Sequence, residues 1–332
     1  MKAMVLRDQG PAEDSRLILE DIPIPSHGQR EILLRVRECG VCRTDLHIVE
    51  GELIPPSLPI VPGHQVVGEV VDSGESCGRF SRGDRVGVAW LHKACGTCLY
   101  CLRGHENLCE NSLFTGFHVN GGFAEYITVS EAFAYAIPEG MDGSHAAPLL
   151  CAGIIGYRAL RLSEPPEGGK LGLFGFGASA HVCIQIAVHQ GYSVYVFSRT
   201  PEHRELAAEL GAVWTGDTGD KPPEKLDSAI VFAPTGEVVL PAMENLDRGG
   251  TCAIAGIHMT PIPELDYEKH LFHERKLRSV TASTRKDGRE LLREAAEVGV
   301  ETSVATFELE QVNEALIKLK NSEINGAGVL II

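Results

Sequence analysis

Four cysteines fall within fifteen residues, Cys95, Cys98, Cys101 and Cys109, spaced C-x2-C-x2-C-x7-C. Nothing else in the chain limits its fold as sharply. Thiolates this close repel one another unless a cation lies among them, and four converging sulfurs match a tetrahedral Zn(II) site with Zn–S near ~2.3 Å. Gly96 and Gly104 let such a loop wrap tightly. Two other readings compete with it. One is a loop of free or redox-active cysteines. The other is an iron–sulfur cluster, because C-x2-C-x2-C opens bacterial ferredoxin motifs; those continue with x3-C-P, and this run does not. Four protein ligands leave no coordination position open, so a metal here is structural. Its binding couples to folding, by on the order of 10 kcal/mol in small zinc peptides.

The chain holds ten cysteines in 332 residues. Disulfide frameworks belong to short secreted domains. The opening Met1 to Asp8 lacks the apolar stretch of a signal peptide, and no apolar run approaches the ~20 residues that span a bilayer. The expectation is a cytoplasmic protein with no membrane role. Thirty basic against forty-five acidic residues give a net charge of -15. Such a surface repels phosphate backbones and anionic headgroups, which argues against nucleic acid as a partner. Cys39, Cys77, Cys183 and Cys252 read as small buried hydrophobes.

At roughly 100–200 residues per domain the length suggests two domains. The first ~150 residues carry short strand-like runs such as Glu31 to Arg37 and Val66 to Val71, punctuated by Gly and Pro. From about Ile154 strands and helices alternate. Lys170 to Gly175 and Ser193 to Ser198 read as strands, Ala180 to Gln190 and Pro201 to Leu210 as helices. Further strands are expected at Ser228 to Phe232, Gly250 to Ala255 and Leu277 to Ala282. That alternation implies a parallel sheet with crossover helices, an α/β doubly wound domain. Two amphipathic helices, Asp287 to Val298 and Leu309 to Lys320, and a strand Gly328 to Ile332 close the chain. Their change of texture suggests a return to the first domain.

Two more constellations carry chemistry. Gly175-Phe176-Gly177-Ala178-Ser179-Ala180 lies between a predicted strand and helix. There the first glycine makes the turn and the second lets a pyrophosphate approach the helix N-terminus, as in a dinucleotide-binding turn. The other constellation is scattered: Cys42-Arg43-Thr44-Asp45-Leu46-His47, then Gly63-His64-Gln65, then Cys151-Ala152-Gly153. Each piece alone is weak, since a lone Cys or His is more often a core residue. Together they offer two Cys and one His, the count of a catalytic zinc that keeps one position for water or substrate.

With these three motifs in this order, the sequence resembles the zinc-dependent medium-chain alcohol dehydrogenase family over essentially its whole length. The resemblance implies a GroES-like, β-rich, zinc-binding catalytic domain at 1–153 and 286–332, and a Rossmann cofactor domain at 154–285. It implies two zincs per chain. Cys42, His64 and Cys151 would hold the catalytic one, and Cys95, Cys98, Cys101 and Cys109 the structural one. Thr44 would start a proton relay and His47 would end it. Asp45 would orient His64, and Arg43 would face the cofactor pyrophosphate beside Gly175, Gly177, Ala178 and Ser179. The mechanism would be reversible hydride transfer through a zinc alkoxide, since zinc acidifies a bound hydroxyl and polarises a carbonyl. Three positions depart from the family pattern: Gln65 for a glutamate behind the zinc, Ile155 for a threonine beside the nicotinamide, and Ala327 for an arginine near the pyrophosphate. The family habit is a homo-oligomer, dimer or tetramer.

An NAD-binding unit usually ends its second strand with an acidic residue. Here Ser198 and Arg199 follow Phe197. Ser198 can donate to a 2′-phosphate and Arg199 can pair with it, so NADP is expected over NAD. Trp90 and Leu91 precede the cysteine loop where the family lines its substrate pocket. The tryptophan resembles microbial enzymes that take small primary alcohols and their aldehydes. Competing functions are a cinnamyl-type aldehyde reductase or a polyol dehydrogenase on the same fold, and a non-catalytic NADP-binding sensor. The sensor reading predicts lost ligands, whereas Cys42, His64 and Cys151 are all present.

Overall fold

The computed structural model describes all 332 residues. The chain divides into two compact units. One is Met1–Cys151 with Ser283–Arg293 and Glu301–Ile332, and the other is Ala152–Ala282 with Glu294–Val300.

In the first unit β1 (Lys2–Leu6) and β2 (Leu17–Asp21) pair antiparallel as a separate ribbon. The spine is β3 (Glu31–Val41), where Ile32, Leu34 and Val36 are buried and Arg35 and Arg37 exposed. This period-two alternation is that of a strand with one wet face. At its end Cys39, Gly40 and Val41 are all buried. The chain then enters α1 (Arg43–Glu50), β4 (Gln65–Ser73), β5 (Arg85–Val88), β6 (Leu91–Lys93), α2 (Leu99–Leu102), β7 (Leu113–Phe114), β8 (Tyr126–Ser130), β9 (Ala134–Ala136) and α3 (Gly143–Ala146). Along β3, residues 38–41 pair with the final strand, 31–35 with β8, and 32–40 with β4. Two register shifts on the β4 side, at Leu33/Leu34 and Val36/Glu38, are bulges that bend β3.

The second unit opens with α4 (Ala152–Leu162) and runs through β10 (Lys170–Phe174), α5 (Ala178–His189), β11 (Ser193–Phe197), α6 (Pro201–Glu209), β12 (Trp214–Gly216), β13 (Leu226–Val231), α7 (Val239–Asn245), β14 (Leu246–Ile254) and β15 (Lys276–Ser279). Every pairing is parallel, and the order is β12-β11-β10-β13-β14-β15. Numbered from β10, that is 3-2-1-4-5-6, the doubly wound dinucleotide-binding order, with its switch point between β10 and β13. Strands β10 and β11 are near-continuous apolar runs because helices cover both faces of such a sheet. Phe174 and Phe197 stack between them at 4.0 Å. The chain ends with α8 (Arg285–Val298), β16 (Val304–Glu308), α9 (Val312–Lys320) and β17 (Ala327–Ile331). The sheet of the first unit reads β16-β17-β3-β4-β5-β9, with β8 also on β3.

Several local expectations shift. Helix α9 begins at Val312 because Leu309–Gln311 forms a 3-10 turn. The strand expected to reach Ala282 stops at Ser279, and Ala282 takes a positive φ of 48°. Helix α7 and strands β12 and β16 have no counterpart in the sequence reading. Pro241 masks α7, β12 is three residues long, and only Phe307 of β16 is buried.

Candidate functional site

The scattered trio converges in the first unit. Cys42 follows the buried end of β3 and caps α1, His64 immediately precedes β4, and Cys151 follows the 3-10 turn Ala147–Leu150. Sγ of Cys42 lies 3.5 Å from Nε2 of His64 and 4.0 Å from Sγ of Cys151, and the His64–Cys151 separation is 3.3 Å. Ligands at tetrahedral angles on a zinc with Zn–S ~2.3 Å and Zn–N ~2.1 Å stand about 3.6–3.8 Å apart. The triangle therefore has the dimensions of three corners of a zinc tetrahedron, with the fourth corner supplied by no side chain of this group.

Asp45 organises the trio. Fully buried on the first turn of α1, its Oδ2 accepts the Cys42 N–H at 2.9 Å and its Oδ1 the Gly63 N–H at 3.2 Å. Nδ1 of His64 lies 3.3 Å from Oδ1, within ion-pair reach though off the line of a good hydrogen bond. One carboxylate thus ties two candidate ligands together and turns Nε2 of His64 toward the sulfurs. Burial works to lower the pKa of His64, but the Cys42 sulfur and the Asp45 carboxylate outweigh it and raise it to about 10. The Cys42 thiol itself is pushed well up by the Cys151 sulfur and by burial. Without a cation, this much buried negative character has only a proton to neutralise it. The turn before His64 depends on Gly63 at φ 95°, where a Cβ would stand 2.5 Å from the Phe123 ring.

The four clustered cysteines also converge. Their sulfurs lie within 4.8 Å of one another, with Cys95 and Cys101 at 3.9 Å. The backbone N–H groups of Thr97 and Cys98 donate to the Cys95 sulfur at 3.5 and 3.3 Å, and that of Cys95 donates to the Cys109 sulfur at 3.4 Å. The N–H groups of Thr97 and Cys98 hold Cys95 down at about 6, while desolvation and the neighbouring thiols push Cys101 up to about 12. Gly96 and Gly104 take φ of 76° and 75°, the left-handed turns that let the loop close. The donor set fits a closed, four-sulfur zinc site.

In the second unit Gly175 turns the chain at φ 89° at the end of β10, where a Cβ would press on Ala233 N at 2.8 Å. Gly177 differs: a Cβ there would meet nothing within 4 Å. Packing does not demand a glycine at 177, so the space beside it is open to a pyrophosphate at the N-terminus of α5. Ala178 is exposed and Ser179 half-buried on the first turn, and Ala180 is fully buried where the helix packs. Ser198 is buried at the end of β11 with its Oγ accepting the Thr200 N–H at 3.4 Å, and Arg199 is exposed. The sequence reading missed Arg204, whose Nη1 donates to Ser198 O at 2.7 Å; its place one turn into α6 was the available signal.

Of the other predicted residues, Thr44 is 6% exposed and three positions before His47 on α1, and Arg43 is exposed beside Ser322 at 3.5 Å. His47 pairs with Glu52, a partner the sequence reading did not name. The half-buried Trp90 ring sits edge-on to His64 at 5.0 Å and stacks on Phe114 at 5.0 Å. Leu91, expected to line a pocket, is instead 1% exposed in the core of the unit. Cys77 is only half-buried, packed against the edge of that core with Sγ 3.4 Å from Glu31 O, whereas Cys39, Cys183 and Cys252 are fully buried. Gln65 is buried with its Nε2 unpartnered, Ile155 half-buried in α4, and Ala327 at the start of β17.

This fold and these two sulfur-rich groups define a zinc-binding, dinucleotide-dependent dehydrogenase. The chain belongs to the zinc-dependent medium-chain alcohol dehydrogenase family. Residues 28–139 match the alcohol dehydrogenase GroES-like domain and 180–297 the zinc-binding dehydrogenase domain. The chain is similar to "Probable alcohol dehydrogenase AdhA" of Mycobacterium tuberculosis, at 49% identity over 100% of this chain and 97% of that one. It is similar to an alcohol dehydrogenase of Geobacillus stearothermophilus at 35% identity, over 99% and 98% of the two chains. Among solved structures, a cinnamyl alcohol dehydrogenase of Sorghum bicolor superposes with a TM-score of 0.89 at 29% identity, over 99% of this chain and 97% of that one. No helix is long and apolar enough to cross a membrane.

Proposed function

We propose that the protein interconverts small primary alcohols and their aldehydes by hydride transfer with a nicotinamide dinucleotide, NADP in preference to NAD. The observation that carries this reading is the Cys42–His64–Cys151 triangle, three donors at zinc-ligand separations with His64 held by Asp45. A zinc bound there would act as a Lewis acid on the substrate oxygen. The second group, Cys95, Cys98, Cys101 and Cys109, would hold a structural zinc, two per chain in all. In this division 1–153 and 286–332 do the zinc chemistry and 154–285 hold the dinucleotide.

The chain's own residues supply the rest. The Thr44 hydroxyl, sheltered on the first turn of α1, accepts the proton that leaves the alcohol, and His47 delivers it toward water. Gly175, Gly177, Ala178 and Ser179 present the N-terminus of α5 to the pyrophosphate, with Arg43 as a further cation. Ser198 and Arg199 receive a 2′-phosphate: a hydroxyl and a guanidinium stand where an acidic residue would repel it. The aromatic wall of Trp90, Phe114 and Phe117 beside His64 favours a second reading, reduction of aromatic aldehydes of the cinnamyl type. Exposed Ile257, Ile262, Tyr267 and Phe272, with the unpaired edge of β15, support a homo-oligomer, and we place its work in the cytoplasm.

The test is initial-rate oxidation of ethanol, butanol, benzyl and cinnamyl alcohol with NAD and NADP in parallel, alongside zinc analysis. Turnover of the short alcohols, faster with NADP, at two zincs per chain is expected. Activity confined to cinnamyl alcohol moves the assignment to the second reading. Inactivity at full zinc occupancy refutes both.

A further inference from the structure

His47 carries the outer end of the proposed relay, and the carboxylate that meets that imidazole is Glu52. Its Oε2 meets His47 Nδ1 in a close hydrogen-bond contact. The contact is built by the chain that follows α1. Helix α1 ends at Glu50, and Gly51 turns the backbone at φ 86°, a conformation that side chains rarely adopt. The Leu53 N–H then donates to His47 O at 3.0 Å, and the Gln9 side chain donates to both Ile48 O at 2.6 Å and Leu53 O at 2.9 Å. The turn is therefore fastened on both sides of Glu52, which returns to the ring five residues behind it. The His47 side chain is 17% exposed and that of Glu52 47%, so the pair runs from a sheltered ring to water. Thr44, three residues before His47, shares its face of α1.

We propose that Glu52 is a positioning residue for proton release. Accepting from Nδ1, it keeps that nitrogen protonated and sets Nε2 as the lone-pair nitrogen that receives the proton arriving from the Thr44 side. The inference rests on the reading of His47 as the relay's outer end. For each alcohol oxidised, a hydride passes to the nicotinamide and the hydroxyl proton leaves. That proton binds Nε2, giving an imidazolium whose Nδ1–H stays on Glu52; the Nε2 proton then passes to water, and the ring returns to its starting Nδ1–H form. The carboxylate faces the ring during the moment at which both nitrogens are protonated. The same geometry serves a catalytic imidazole held by an aspartate in hydrolases.

The experiment uses the full zinc-loaded enzyme with Glu52→Ala, Glu52→Gln, His47→Ala and the double variant. In Glu52→Ala, kcat for butanol oxidation is expected to fall about ten-fold, the scale on which partners of functional histidines act. KM for alcohol and dinucleotide should stay unchanged, and Glu52→Gln, which keeps an acceptor without the charge, should fall between. In the His47→Ala background, adding Glu52→Ala should change kcat by less than about two-fold, as for residues acting as one unit. Independently of turnover, a downfield imidazole N–H proton resonance assigned to His47 should be present in the native protein and absent in Glu52→Ala. Native kcat in Glu52→Ala with a depressed His47→Ala overturns the role of Glu52 and leaves the relay standing. Native kcat in both overturns the relay reading itself. Equal losses with and without His47 mean that Glu52 acts through the fold and not through the ring.

Discussion

Asp45→Asn isolates what the buried carboxylate does for the candidate catalytic metal. The substitution keeps shape and volume, so the fully buried site neither collapses nor opens. The aspartate serves three groups: the Cys42 N–H at 2.9 Å, the Gly63 N–H at 3.2 Å, and Nδ1 of His64 at 3.3 Å. An asparagine offers one acceptor oxygen in place of two and turns an NH2 toward one of those donors. At least one buried donor then faces another donor, and the carboxylate's charge is gone from beside His64. Losing one charged hydrogen bond costs about 1.5–3 kcal/mol. At 1.4 kcal/mol per decade, that is about 10–100-fold in zinc affinity if the loss falls on the metal-bound form. The same span applies to outer partners of metal-bound histidines elsewhere. The assay is competition with a chromophoric chelator. The four-cysteine group, which Asp45 does not touch, acts as an internal reference in the same titration. One zinc should be released at lower chelator concentration and the other at the native concentration. Two native release curves would refute the assignment of Asp45 as the organiser of the site. A parallel shift of both would mean that the substitution loosens the unit as a whole.

Cys98→Ser should release the second zinc and make the 95–109 loop sensitive to limited proteolysis; a stable variant with two zincs per chain undoes the four-cysteine reading. For Arg199→Ala, kcat/KM with NADP should drop by about ten-fold or more, as expected for loss of a charge-assisted phosphate contact, with NAD little changed; equal losses mean that the side chain never meets the phosphate. In metal-free protein the His64 pKa, raised from 6.5 to about 10, makes a stability contribution that is fully present below about pH 6.5 and lost as pH climbs through about 10. The Tm of the metal-free protein should therefore fall between pH 7 and 10 more than that of the zinc-loaded protein, in which metal has replaced the proton; parallel profiles contradict it.

What the sequence disclosed follows from how local each signal is. The 95–109 group is readable because its spacing alone brings four sulfurs together, and the glycine turn because Gly175 and Gly177 sit between an apolar strand and a helix. The parallel sheet is readable because both its faces are covered, so β10 and β11 are near-continuous apolar runs. Strand β16 shows the opposite case, one buried residue in five, with its pairing to β17 decided elsewhere in the chain. Side-chain contacts across turns were hidden too. Glu52 looks like a solvated acid until Gly51 reverses the chain, and Arg204 like a helix-surface cation until its reach to Ser198 O is seen. Leu91 was misjudged because it opens β6, paired with Phe114 and packed into the core, whereas Trp90 lies in the bend before that strand with its ring against His64.

The two metal groups differ in the same way, and the difference bears on how the protein assembles. Cys95 to Cys109 closes a short loop whose own N–H groups already face the sulfurs, so the group can gather with little of the sheet in place. The other group joins Cys42 to Cys151 across 109 positions and needs the end of β3, the turn into β4 and the 3-10 turn before Cys151 all at once. Loop closure costs rise only slowly with length, as (3/2)RT ln n, so distance in sequence is not the obstacle. The obstacle is that its three donors belong to three elements, each fixed by packing: the end of β3 by Gly40 against the Gln65 amide, the turn into β4 by Gly63 against Phe123, and the 3-10 turn before Cys151 by Leu150 against Gly87. A site made this way stays rigid with a coordination position open, because the protein and not the metal holds the donors apart. The four-cysteine loop would have the reverse dependence: mostly exposed and short, it would be held in shape by a metal that takes all four of its sulfurs.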